Sequence, residues 1–171
     1  MKRSKRKSLT ALTVIVPIIN ARRGQVYGAV FGEDGGDILK SGPYMLTDVF
    51  DAIRGELDQR SAETACGIPV AGRIVFYGDG IDAYGKELAD FTAELTVSYC
   101  SWQVELAGEE ERYQRASMTA RRAFEKYRDG HALTVEELTP VYMRATEAEQ
   151  KLADGTLEKQ RKAKMARFLA R

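Results

Sequence analysis

The side chains able to do chemistry are few and scattered. His131 is the single histidine of the chain, so no two-histidine metal site can be built within it. It follows Gly130, a residue type that ends helices, and reads as a surface-loop histidine. Cys66 and Cys100 lack the close spacing of zinc-ligand pairs, and nothing local builds a Cys–His pair. Asp34, Asp37, Asp48 and Asp51 fall where turns and helix starts favour carboxylates, so no acid/base pair stands out. Gly78-Asp79-Gly80 lies between a strand-like run and a helical one, where backbone N–H groups at a helix start can hold a phosphate. It has neither the Walker A spacing nor that of the dinucleotide fingerprint, and Asp79 repels phosphate unless a metal intervenes. The competing reading is a strand-to-helix turn with Asp79 capping the helix. No catalytic residue, metal or cofactor is expected.

The elements that position these residues follow from apolar spacing. Thr13–Ile19 reads as a buried strand, Asn20–Gly24 as a turn and Gln25–Phe31 as the return strand. Asp34-Gly35-Gly36-Asp37 is a turn, and a third strand begins at Ile38. Pro17 cannot donate to a ladder, which places the first strand at an edge there or predicts a bulge. Leu46, Val49, Phe50, Ile53 and Leu57 share a helix face, with Thr47 as N-cap. Arg73–Tyr77 reads as a strand, and Ile81, Tyr84, Leu88 and Phe91 mark a helix near Ile81–Phe91. Leu95–Tyr99 reads as a short strand. Tyr113, Ala116, Ala120, Ala123, Phe124 and Tyr127 stripe a helix over Glu109–Arg128 that ends at Gly130.

The 171 residues carry a net charge of +1, 44% apolar and 30% charged residues, an ordinary globular mixture. Basic residues gather at the start (Lys2, Arg3, Lys5, Arg6, Lys7) and the end (Lys159, Arg161, Lys162, Lys164, Arg167, Arg171). They are either solvated tails or phosphate contacts. Leu12–Ile19 is too short to span a membrane and lacks a cleavage signature, and two cysteines without a secretory signal point to the cytoplasm. The organisation expected is a basic tail over 1–8, an α/β lobe over 9–152 and a basic, polar helical tail over 153–171.

Three segments together resemble one family. Pro17 to Tyr27, with Asn20, Ala21, Arg22, Arg23, Gly24, Val26 and Tyr27, resembles the "DARRGEVY" segment of the TsaB (YeaZ) family. Gly78-Asp79-Gly80 resembles its G-D-G turn. Pro140, Tyr142 and Arg144, followed by Glu147-Ala148-Glu149, resemble its closing "P-x-Y-x-R…AE" segment. The resemblance covers roughly Leu12–Lys151 and only the second half of the family's pattern. The D-T-S-like turn and the G-P-G-S-F-T-G-L-R segment are missing, and Asn20 replaces the usual Asp, although its amide oxygen can still cap the turn.

The resemblance implies an α/β fold: one lobe of an actin-like or ribonuclease-H-like fold, with an antiparallel three-strand start and helices on a mixed sheet. It implies a non-catalytic scaffold in making threonylcarbamoyladenosine in tRNA. The partners are a TsaD-like catalytic subunit and a TsaE-like ATPase, and tRNA is met only through the complex. The motif residues then belong to turns or interfaces; Arg22 and Arg23 pair with carboxylates, hold a neighbouring lobe, or simply face solvent. Tyr142 and Arg144 alternate with Val141 and Met143 in a short extended segment expected to pack on the lobe. Lack of the first lobe impairs function and leaves the chain self-associating or weakly stable until a complementary lobe binds. Two other classes compete: a small nucleic-acid-binding module using the basic tails, and an actin-like ATPase fragment, against which the missing phosphate loop counts.

Overall fold

The computed structural model describes residues 12–62, 71–143, 149, 152–153 and 155–169. The chain divides into two compact units, Met1–His131 and Ala132–Arg171. In the first, strands β1 (Leu12–Arg22), β2 (Gln25–Phe31) and β3 (Asp37–Met45) precede helix α1 (Leu46–Ala62). Then come β4 (Gly72–Tyr77), the single-turn α2 (Gly80–Ala83), α3 (Gly85–Ser98), β5 (Trp102–Leu106), the single-turn α4 (Glu109–Arg112) and α5 (Ala116–Arg128). The second unit carries α6 (Thr156–Leu169).

The fold is α/β, built on one mixed five-stranded sheet of order β3-β2-β1-β4-β5. β1–β2 and β2–β3 are antiparallel, whereas β1–β4 and β4–β5 are parallel. The antiparallel pairs need only tight turns, while each parallel pair is bridged by a segment containing a helix. Period-two alternation on β1 sends Val14, Val16 and Ile18 into the core, joined by Val26 and Val30 of β2 and Ile74 and Phe76 of β4. α1 and α3 cover this face together. Phe50 and Phe91 stack with centroids 4.0 Å apart, and Phe76 meets Phe91 edge-on at 6.4 Å. Such aromatic pairs add about 0.5–1.5 kcal/mol beyond the area they bury. The guanidinium of Arg54 lies over the Phe91 ring and reaches Glu94 at 2.7 Å, tying the two helices at their solvent edge.

Several sequence expectations change. β1 is the central strand, not an edge, and the register shift falls between Asn20 and Arg22, not at Pro17. The pairs flanking Pro17, Ile15 with Phe31 and Ile18 with Gly28, keep one common offset, so the missing N–H interrupts the ladder without slipping it. Thr47 lies inside α1, and the helix start is capped by Asp48, whose Oδ2 accepts the Met45 N–H at 2.9 Å. Leu95–Ser98 continues α3 because Leu95 extends the buried stripe of Leu88 and Phe91. Trp102–Leu106, not Leu95–Tyr99, supplies β5. The helix expected over Glu109–Arg128 breaks at Tyr113–Arg115, and no residue of α5 is buried: Phe124 is 59% and Tyr127 68% exposed. α5 does end as expected, with Gly130 at φ 77° and bonds from His131 N–H to Lys126 O and from Gly130 N–H to Tyr127 O.

Candidate functional site

The carboxyl ends of β1 and β4 lie side by side, and the chain leaves each through a tight turn. After β1, Arg22 pairs with Gln25 across the two-residue loop Arg23-Gly24. Arg23 and Gly24 have φ 57° and 76°, both positive, as the turn that matches strand twist requires. Arg22, at φ 62°, is left-handed as well. This conformation is unfavourable for residues with a Cβ and persists only where surrounding contacts hold it.

Those contacts centre on Asn20. Its Oδ1 accepts the Arg22 N–H at 2.8 Å, an Asx bond that takes up the turn amide. The Tyr84 hydroxyl lies 3.2 Å from the same oxygen and 3.0 Å from Gln25 O, so one proton is shared between two acceptors spanning the turn. The Asn20 N–H donates to Asp79 Oδ1 at 2.9 Å. Asp79 holds the N-cap position of α2 but makes no side-chain bond to that helix. Its carboxylate secures β1 instead, which corrects the expected helix cap. From the other side, Leu46 N–H reaches Gly24 O at 3.3 Å, fixing the turn to the start of α1.

Glycine is required where the two turns meet. Gly78 has φ 104°, and a Cβ there would overlap the Ile18 carbonyl oxygen. A Cβ on Gly80 would lie 2.9 Å from that oxygen. The G-D-G turn is therefore packed backbone-to-backbone against β1. Its Gly78 N–H donates to Arg112 O at 3.0 Å. Arg112 pairs with Asp82 of α2, and the Tyr113 hydroxyl donates to the second Asp82 oxygen at 2.8 Å. That hydrogen bond to the carboxylate raises the Tyr113 phenol above its ordinary range.

Two of the three motif segments thus converge. Asn20, Arg22 and Arg23 are exposed at the hairpin, Ala21, Gly24 and Tyr27 are half-buried, and Val26 is in the core. The third segment lies in the second unit, where Pro140 is exposed and Tyr142 is 86% exposed. Arg144 lies outside the described residues. His131 is exposed. Sequence reasoning missed Tyr84, Asp82 and Arg112. A tyrosine in an otherwise apolar stripe is the available signal for Tyr84, since a buried phenol needs a partner. No local pattern marks the Asp82–Arg112 pair.

Among the described residues no three His, Cys, Asp or Glu side chains gather as a metal site, and no helix is long and apolar enough to cross a membrane. A concavity of about 670 Å³ beside α6 is lined by Leu152, Leu157, Glu158, Gln160 and Arg161 and includes no motif residue. No family model matches the chain, and no curated protein matches it.

Proposed function

We propose that the chain is a non-catalytic interaction subunit in the synthesis of threonylcarbamoyladenosine in tRNA, working with a TsaD-like catalytic subunit and a TsaE-like ATPase. The observation that carries this reading is the meeting of the Asn20–Tyr27 segment with Gly78-Asp79-Gly80 through the Asn20 N–H···Asp79 bond. These segments carry most of the family resemblance and lie far apart in sequence, yet they form one knot at the carboxyl ends of β1 and β4. The mixed sheet, with β2 antiparallel and β4 parallel to β1 and helices beside it, is compatible with the α/β lobe this reading calls for and supports it to that extent.

The chemistry at the knot favours a structural role over turnover. Asp79 is engaged by a backbone amide and Asp82 by Arg112 and Tyr113, so both carboxylates hold elements together. The apolar residues exposed on α5 offer surface for a partner. The test is reconstituted modification of tRNA by TsaD-like and TsaE-like subunits, with and without this chain, and with an added TsaB-like first lobe. Modification that depends on this chain, alone or with that lobe, is expected. A chain that neither binds the TsaD-like subunit nor changes modification in any combination refutes the reading.

A further inference from the structure

We infer that two copies of this chain pair by reciprocal docking of α5, each laying its apolar stripe across the open sheet face of the other. α1 and α3 both pack on the face of Val14, Val16 and Ile18, and Ile81 of α2 joins the same core. The opposite face is apolar as well. On β1 it carries Ile15, Pro17 and Ile19, and the β2 residues paired with the first and last of these are Phe31 and Tyr27. Val75 and Tyr77 of β4 stand beside Ile15 and Pro17. Ile15 is 38% exposed although it lies on the central strand, and Pro17, Ile19, Tyr27, Phe31 and Tyr77 are half-buried. Neither α4 nor α5 has a buried residue, so among the described residues no helix of the first unit closes over this side. β1, β4 and β5 run parallel, and parallel strands are ordinarily covered on both faces.

α5 has the shape and charge of the missing cover. Ala116, Ala120, Ala123, Phe124 and Tyr127 recur at helical spacing along one side, and the alanines let that side approach a sheet closely. Its length of about 20 Å matches the extended run Thr13–Ile19, and a helix width of ~10 Å spans two to three strands. Arg121 and Arg128 border the stripe on one side and Lys126 on the other. The sheet face is bordered by Glu105, beside Val75, and by Asp37, across from Phe31. Arg73 shares the face and lies 3.7 Å from Glu105. The helix belongs on a second copy because its own hinge holds it off. Tyr113 and Arg115 are extended, Tyr113 is tied to Asp82, and the Arg115 guanidinium donates to Glu110 O. Phe124 and Tyr127, 59% and 68% exposed, offer about 250 Å² per helix. A similar area of sheet, doubled by two-fold symmetry, brings the interface to about 1,000 Å², the lower end for a specific dimer.

The experiment is sedimentation of the full chain over an about 100-fold range of concentration reaching well into the micromolar, with hydrogen exchange of the α5 amides followed over the same range. A monomer–dimer equilibrium is expected, and the α5 amides gain protection as the dimer forms. Phe124→Glu on the helix and Ile15→Lys on the sheet face should each weaken dimerisation about 10-fold or more. An equimolar mixture of the two variants should recover part of the loss. The mixed dimer keeps one intact contact of α5 with the sheet and sets opposite charges against each other in the second. Loss from Phe124→Glu alone assigns pairing of helix with helix, loss from Ile15→Lys alone assigns pairing of sheet with sheet, and either overturns the proposal. A monomer at every concentration overturns it too, whether α5 is protected by its own chain or left open. Should a variant unfold by circular dichroism, the wild type decides alone: α5 protection that does not rise with concentration refutes the docking.

Discussion

Replacing Gly78 by alanine tests whether the two turns are held by direct backbone contact. At φ 104° an L-residue is strained, at a cost of about 1–2 kcal/mol or more. The added Cβ would also overlap the carbonyl oxygen of Ile18, which belongs to the central strand and has little room to yield. Relief requires the G-D-G turn to lift from β1. That movement stretches the Asn20 N–H···Asp79 bond, a charge-assisted contact worth about 1.5–3 kcal/mol. The expected loss is about 2.5–5 kcal/mol, a large share of the ~5–15 kcal/mol that holds an ordinary domain together. Trp102 is the single tryptophan and only 5% exposed, so its fluorescence reports urea unfolding of the sheet. Gly85→Ala is the control: a methyl added there meets nothing within 4 Å, and the residue begins α3. Alanine at that position should leave stability within about 1 kcal/mol or raise it slightly. A Gly78→Ala chain that unfolds within about 1 kcal/mol of wild type refutes the close-packing argument.

Tyr84→Phe removes the hydroxyl shared by Asn20 and Gln25 and should cost about 1–2 kcal/mol in urea unfolding with an unchanged slope; no change would mean that the phenol does not brace the turn. Phe50→Ala deletes one ring of the Phe50–Phe91 stack and should cost about 3–5 kcal/mol by the same measurement, whereas a loss under about 1 kcal/mol would show that α1 and α3 do not depend on this contact. Hydrogen bonding to Arg54 holds the Glu94 carboxyl below its ordinary range. Its contribution is therefore present above the unfolded carboxyl range and is lost as pH falls through the lower folded value. Glu94→Gln should flatten the acid limb of stability against pH by a small amount, given the exposure of the pair, and an unchanged limb would remove Arg54–Glu94 from the account.

Legibility in the sequence followed the range of the interaction. The first three strands and α1 were readable because their signals are local: β-branched alternation over Thr13–Ile19, the Asp34–Asp37 turn and the helical recurrence from Leu46 to Leu57. Asn20 as the acceptor for its own turn was also readable, since an Asx bond spans two residues. The position of β1 was not. A proline argues for an edge when ladder bonds are counted strand by strand. Central burial won because Val14, Val16 and Ile18 have the apolar face that β2, β4, α1 and α3 enclose, at the loss of one amide. Asp79 departs from its local pattern for a related reason. Its location predicts a helix cap, but α2 is one turn long. The amide of Asn20, 59 residues away in sequence, sits where the β1–β2 register shifts and takes this carboxylate as its acceptor.

α5 shows how an amphipathic pattern can be right about the helix and silent about its cover. Ala116, Ala120, Ala123, Phe124 and Tyr127 lie along one side, yet the helix buries none of its residues. Its 13 residues extend for about 20 Å. Helices of that length have little stability in water without packing against something. On the opposite side, Arg121 and Arg122 both turn to Glu125, which offsets part of the basic charge and leaves the aromatic stripe as the distinctive surface. The Arg22–Arg23 tip and this helix therefore differ in what holds them: the tip is tied by hydrogen bonds at Asn20, Gln25 and Gly24, whereas α5 buries none of its residues and depends on its own backbone ladder and the pairs at Glu125.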